Sequence, residues 1–339
     1  MNDTARGGWT YLQSYLAPLR YALDRADVTD VYVNRPRELW IETIGGAIER
    51  HDVPELDAAL LERLARQIAA YSHQGISREH PLLSASLPGG ERVQIIAPPA
   101  TRQHLALAIR KNVTPALSLA DYEQAGAFDE VHIKQTSARS VAQSSPDNEH
   151  PQSVMDVLTD SVRARRNILV SGGTSTGKTT FLNALIREIP AHERLILIED
   201  TPEVLLSHSN AVGLLAVRGT LGEAQVSADD LVSASLRMRP DRILLGELRG
   251  VEAYAFLRAV NTGHPGSMTT IHADSAEGAI EQLVLLILQG GAKLTRFDIQ
   301  DYVRSTIDVF VQLSRSAGRR YVSEVRTNPR LSKNLIGKL

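Results

Sequence analysis

Gly172-Gly173-Thr174-Ser175-Thr176-Gly177-Lys178-Thr179 follows the apolar run Ile168-Leu169-Val170 and leads through Thr180 into Phe181-Leu182-Asn183-Ala184-Leu185-Ile186. A buried strand, a glycine-rich loop and an amphipathic helix in that order make a phosphate-binding loop. The glycines let backbone N–H groups turn inward around phosphates. Lys178 brings a positive charge to the β and γ oxygens, and Thr179 can hold Mg²⁺ at a helix N-terminus whose dipole favours anions. A chance glycine turn does not need all of these parts in this context. Residues 172–180 are therefore expected to bind a nucleoside triphosphate, ATP, together with Mg²⁺.

The chain around this loop has 339 residues, enough for about two domains. Its 43% hydrophobic and 22% charged content is that of a soluble globular protein. No apolar stretch reaches the roughly 18 residues that span a bilayer, and Met1-Asn2-Asp3-Thr4-Ala5-Arg6 lacks the hydrophobic segment of a secretory signal. A cytoplasmic location is expected. Zero cysteines exclude disulfides and cysteine-zinc sites, and a net charge of −2 argues against whole-surface attraction to nucleic acid or anionic lipid.

Residues 1–132 read as a smaller α+β amino-terminal domain. A helix over residues 11–22 precedes strands at 31–33 and 39–41, and Gly45-Gly46 predicts a hairpin back through Ala47-Ile48-Glu49. Leu60, Leu61, Leu64, Ala65, Ile68 and Ala69 recur at helical spacing over residues 57–72, with Gly75 as the stop signal. Pro88-Gly89-Gly90 separates strands at 82–87 and 92–96, and residues 104–110 alternate as a further strand. Residues 133–153, with Ser144-Ser145-Pro146-Asp147-Asn148-Glu149-His150-Pro151, cannot build a core and read as a polar interdomain linker, or else as a charged regulatory segment.

Residues 154–339 alternate helix and strand. Strands are expected at 168–170, 195–198, 243–245 and 267–272, and helices at 155–165, 227–238, 251–262 and 275–288. A terminal hairpin joins 307–313 to 320–326 around Gly318. This order predicts a mostly parallel sheet with flanking helices, an α/β P-loop NTPase domain.

Phosphoryl transfer needs positioned phosphates, a metal, an oriented water and positive charge, so the ends of neighbouring strands are where its residues belong. One strand ends in Glu199-Asp200 and another in Gly246-Glu247. Glu247 suits a metal-water ligand or a group that orients the attacking water, against the alternative of a surface acid. Gly246 stands where many such ATPases carry Asp. His264 and His272 flank Ser267-Met268-Thr269-Thr270-Ile271 and can either contact a γ-phosphate or serve the structure. Arg237, Arg239, Arg242 and Arg249 crowd the strand carrying Glu247, and Arg92 and Arg110 lie on strands of the first domain. Some of these only solvate a surface, while an arginine from another domain is a common source of charge against transferred phosphate.

Taken together, residues 172–179, Ile198-Glu199-Asp200-Thr201-Pro202-Glu203, Leu236-Arg237-Met238-Arg239-Pro240-Asp241 with Gly246-Glu247-Leu248-Arg249, and Thr262-Gly263-His264 through Thr270-Ile271-His272-Ala273 resemble the Walker A, Asp box, Walker B and His box of type II/IV secretion ATPases. Within that superfamily the chain most resembles the traffic ATPases of bacterial type IV secretion systems, the eleventh component of the VirB set. Asp27 to Pro36 and Gly90-Glu91-Arg92-Val93-Gln94 with Pro98-Pro99 are similar to that group's amino-terminal domain. The cysteine-bearing metal subdomain of type II motors is absent.

The resemblance implies a RecA-like ATPase domain in a homo-hexamer, with ATP and Mg²⁺ held between the two domains. It makes Gly246-Glu247 a family feature. It also implies that Lys178 and Thr179 bind phosphate and metal, that Glu247 orients water, that Glu199 assists the metal-water network and that His272 senses the γ-phosphate. Arg92 and Arg110 would reach the phosphates. Implied partners are a coupling ATPase, inner-membrane channel proteins and an exported protein or DNA-protein substrate, with peripheral contact to the inner membrane. A nucleotide-dependent docking platform and a pilus retraction motor are the alternatives.

Overall fold

The structure is a computed structural model and describes residues 11–111, 117–135, 153–217, 226–316 and 318–328. The chain forms two compact units.

In the first unit, β1 (Val28–Val33), β2 (Glu38–Thr43), β3 (Ile48–Asp52), β4 (Leu82–Ser86), β5 (Arg92–Ile96) and β6 (Ala106–Arg110) make one sheet in the order β3-β2-β1-β6-β5-β4. Every neighbouring pair is antiparallel. The β2–β3 hairpin turns at Gly45 and Gly46, with φ of 107° and 86°, a region that L side chains rarely enter. Helix Ala58–Tyr71 starts where the Asp57 carboxylate accepts the Leu60 N–H at 2.7 Å. Its stripe Leu61, Leu64, Ala65, Ile68 and Ala69 is buried with Val31, Val33 and Ile41 of the sheet. The helix stops before Gly75. Ser72 Oγ donates to the Ile68 carbonyl, and His73 takes the left-handed conformation at φ 53°.

The second unit holds β7 (His132–Gln135), β8 (Ile168–Gly172), β9 (Leu195–Glu199), β10 (Ala211–Leu215), β11 (Arg242–Leu248), β12 (Met268–His272), β13 (Val309–Ser316) and β14 (Arg319–Thr327), in the order β10-β9-β11-β12-β8-β13-β14-β7. From β10 to β13 the strands are parallel. β14 returns antiparallel beside β13, and β7 runs parallel to β14. Because successive side chains point to opposite faces, Ile168, Val170, Leu195 and Leu197 pack with helices Val154–Arg163 and Lys178–Arg187. Leu169, Ile198, Ile243 and Leu245 pack on the other face with helices Glu252–Asn261, Ala276–Gln289 and Arg296–Thr306. This is the expected RecA-like α/β fold, preceded by a smaller α+β unit.

The boundary between the two units lies earlier than residue 132. Ser118 and Asp121 form a capping box that opens helix Leu119–Gln124, and Leu119 is buried in the second unit's core. Tyr122 meets Phe181 edge-on at 5.1 Å between ring centroids. Residues 133–135, read as the start of the linker, are strand, and a four-residue edge strand gives too little alternation to be recognised in sequence. Residues 136–152 of the expected linker lie outside the described residues.

Arg242 corrects another expectation. It opens β11 at the end away from Glu247, it is fully buried, and its Nε and Nη2 donate to the Glu193 carboxylate at 2.7 and 2.9 Å. Its Nη1 donates to the Val162 carbonyl at 2.8 Å. Burial would raise the Glu193 carboxyl, but the bonds from Arg242 and Arg165 outweigh it and hold the group below its ordinary value. The pair is structural, since a buried charge needs this degree of satisfaction.

Candidate nucleotide site

The strand order builds the site. β8 and β9 follow one another in sequence, yet β12 and β11 lie between them. Where connections diverge in this way, the carboxyl ends of the strands leave room for a ligand. Across the row β9-β11-β12-β8, those ends carry Glu199, Gly246-Glu247, His272 and Gly172.

The loop leaves β8 at Gly172. A Cβ there would lie 2.4 Å from Thr176 Oγ1 and 3.2 Å from the Leu313 backbone oxygen, so only glycine fits. Gly173 is less confined, its nearest neighbour being 3.9 Å away. Ser175 adopts φ 61° and Gly177 φ 91°, which turns the chain into helix Lys178–Arg187. Thr176 Oγ1 donates to the Gly173 carbonyl at 2.9 Å. Gly172→Ala should therefore lower the melting temperature and weaken ATP binding at least tenfold, because the Thr176 hydroxyl must leave its place in the loop and the Leu313 backbone must give slightly, whereas Gly173→Ala stays within about threefold. Nucleotide titration followed by tryptophan or analogue fluorescence, with thermal melts, checks both. Equal effects would show that the Gly172 contact is not limiting.

Lys178 Nζ donates to the Gly172 and Gly173 carbonyls at 3.1 and 3.3 Å and lies 3.6 Å from Glu247 Oε1. Burial lowers its pKa below the usual lysine value, and the Glu247 charge opposes that shift. Arg249 Nε donates to Glu247 Oε2 at 2.6 Å, so Glu247 is held between two cations. Glu199 sits one strand further along. Its Oε1 accepts the Val204 N–H at 2.9 Å, which makes it an anchor for the segment after β9 as well as a carboxylate at the strand ends. A Cβ on residue 246 would meet Glu199 Cγ at 3.2 Å. The absence of an aspartate there thus has a packing reason, because Gly246 makes room for Glu199.

His272 is exposed at the end of β12, in register with Gly172. His264 lies at the other end of that strand, where its ring nitrogen bonds the Pro240 carbonyl at 3.2 Å. Of the two histidines, only His272 shares the site. Arg237 and Arg239 are exposed. Thr179 and Thr180 occupy the first helical turn. Arg92 and Arg110 are cross-strand partners in the first unit, and Arg110 Nε donates to Asp30 Oδ1 at 2.8 Å. Sequence reading missed Arg320. From β14, 145 residues after the loop, its Nε donates to the Ser175 carbonyl at 3.0 Å. No local motif marks it, since only the pairing of β13 with β8 brings that hairpin alongside the loop.

A profile of the family described as type II/IV secretion system protein matches residues 13–327. The chain belongs to that family. Among its relatives, the type IV secretion system protein VirB11 of Bartonella henselae is 36% identical over 344 residues, spanning 95% of this chain and 94% of that protein. VirB11 of Brucella suis is 39% identical over 330 residues, spanning 95% of this chain and 91% of that protein. The crystal structure of the pilus retraction motor PilT with bound ADP superposes with a TM-score of 0.59 at 20% identity, covering 96% of this chain and 85% of that one. At that identity the likeness is one of fold. The loop, the glycine-glutamate strand end and the histidine strand end lie on adjacent strands of one sheet.

Proposed function

We propose that this secretion ATPase works as a homo-hexamer in which ATP hydrolysis moves the amino-terminal units and so powers assembly of, or substrate passage through, a type IV secretion channel. The observation that carries the chemistry is Glu247 lying 3.6 Å from Lys178, beside the phosphate loop. Lys178 and the loop N–H groups of residues 172–180 bind the β and γ phosphates, and Glu247 accepts a hydrogen bond from the attacking water and orients it. His272 contacts the γ-phosphate from the next strand. The oxygen donors fit Mg²⁺, which prefers one or two oxygen side chains with phosphates and waters. Thr179 would hold it directly, with Glu247 and Glu199 through water, and it would neutralise charge developing on the phosphates.

Arg92 and Arg110 supply further positive charge. The relatives' names support a place among secretion-channel components, and the partners of this reading are a coupling ATPase, inner-membrane channel proteins and an exported protein or DNA-protein complex. Among the described residues no helix is long and apolar enough to cross a membrane. Association with the cytoplasmic side of the inner membrane is accordingly peripheral in this reading.

Two measurements test the proposal. Mass in solution should rise toward six subunits on adding ATP, and a strict monomer at high protein and nucleotide concentration would contradict the ring. Arg110→Ala should lower turnover by about 10² with a smaller loss of affinity, and Arg110→Lys should rescue poorly because lysine lacks the planar fork that grips two phosphate oxygens. Parental turnover in Arg110→Ala would reduce Arg110 to the partner of Asp30.

A further inference from the structure

Beneath the phosphate loop lies a buried polar pair, one residue on β8 and one on β13. Ser171 and Gln312 are 0% and 3% exposed, on the sheet face that Leu169 and Phe310 share. Ser171 Oγ donates to Gln312 Oε1 at 2.5 Å, and Gln312 Nε2 donates to the Leu313 carbonyl at 3.0 Å and to the Ala273 carbonyl at 3.3 Å. A buried amide is unfavourable unless its oxygen and nitrogen are both paired. Here both are.

The partners matter by their position. Ser171 immediately precedes Gly172, the first residue of the loop, and Ala273 immediately follows His272. Gln312 is paired in register with Ser171, and His272 with Gly172. From β13, one side chain therefore reaches across β8 to the end of β12. The backbone departs from regular pairing at the same place: Gln312 faces Glu324 while Leu313 faces Val322, so Ser323 is the extra residue of a bulge. Ser323 Oγ donates to the Gln312 carbonyl at 3.4 Å. Bulges re-aim side chains at functional edges.

We propose that Gln312 is a positioning residue for hydrolysis, which fixes the strand end bearing His272 against the first residue of the phosphate loop. The inference rests on the reading of His272 as a γ-phosphate contact. Gln312 works through Ser171 and Ala273 and not by touching the nucleotide. It acts on turnover, because a small displacement of a reacting group costs rate before it costs binding.

Gln312→Met keeps the side-chain volume and removes the amide. Ser171 Oγ retains the Val311 carbonyl at 3.3 Å, so the β8 side keeps a partner. In the full-length chain, Gln312→Met should lower kcat by roughly tenfold, with KM and the Kd of a fluorescent ATP analogue within about threefold. Gln312→Leu likewise removes the donor to Ala273 without burying a charge, and it should behave alike even if the methionine variant folds poorly. The deciding measurement is the double variant. If Gln312 works through His272, adding Gln312→Met to His272→Ala lowers kcat no further, although each single change lowers it. Multiplying effects with an impaired His272→Ala overturn this inference alone, as does parental kcat in either Gln312 variant. A fully active His272→Ala removes the histidine from the reaction and this inference with it.

Discussion

Replacing Lys178 with alanine will reduce ATP turnover by about 10³ or more and remove most nucleotide binding, because the β and γ phosphates lose the one charge aimed into the loop from within it. The surroundings amplify the loss. Lys178 is largely buried, and its ammonium is held by the Gly172 and Gly173 carbonyls and by Glu247. Without it Glu247 keeps Arg249 as a partner but loses the second cation, which leaves more of its negative charge facing incoming phosphate at the loop. Lys178→Arg should not restore turnover, since the larger planar group does not fit where a compact ammonium sits between two carbonyls. Steady-state phosphate release and equilibrium binding of a fluorescent ATP analogue check both outcomes. Near-normal turnover in Lys178→Ala would sink the site.

Glu247→Gln separates chemistry from binding. The amide has nearly the shape of the carboxylate but is a far weaker hydrogen-bond acceptor for water, so turnover should fall by about 10² to 10³ while ATP affinity is retained or rises. The rise follows from charge. Glu247 lies 3.6 Å from the Lys178 ammonium, and neutralising it removes a competitor for that charge. The variant also decides between a motor and a docking platform. A motor that binds ATP without hydrolysing it should arrest secretion, whereas a platform that only switches on binding would support it in full. Parental turnover would leave Glu247 as a strand-end acid between Lys178 and Arg249.

Much of the site was readable because its parts are local. The phosphate loop is a contiguous segment in which two glycines answer a local demand, Gly172 against Thr176 and Leu313, and Gly177 at φ 91°. Glu247 and His272 were readable as polar residues closing apolar strands. Arg242 shows the limit of such local reading. It adjoins the same strand in sequence, but seven residues of β11 put it at the opposite end from the site, buried on Glu193. The strand β7 and helix Leu119–Gln124 were hidden because such short elements carry little periodicity of their own.

By itself the sequence determined the class of fold and the phosphate loop with its candidate residues, since period-two and helical patterns, turns and the loop are properties of neighbouring residues. The order of the strands was a tertiary decision. Only the insertion of β11 and β12 between β8 and β9 sets Glu199, Glu247, His272 and Gly172 in one row, and only the return of β13 beside β8 brings Gln312 under the loop and Arg320 over it. Long-range pairing is selected by how buried faces pack across the whole sheet, and no window of sequence contains that information.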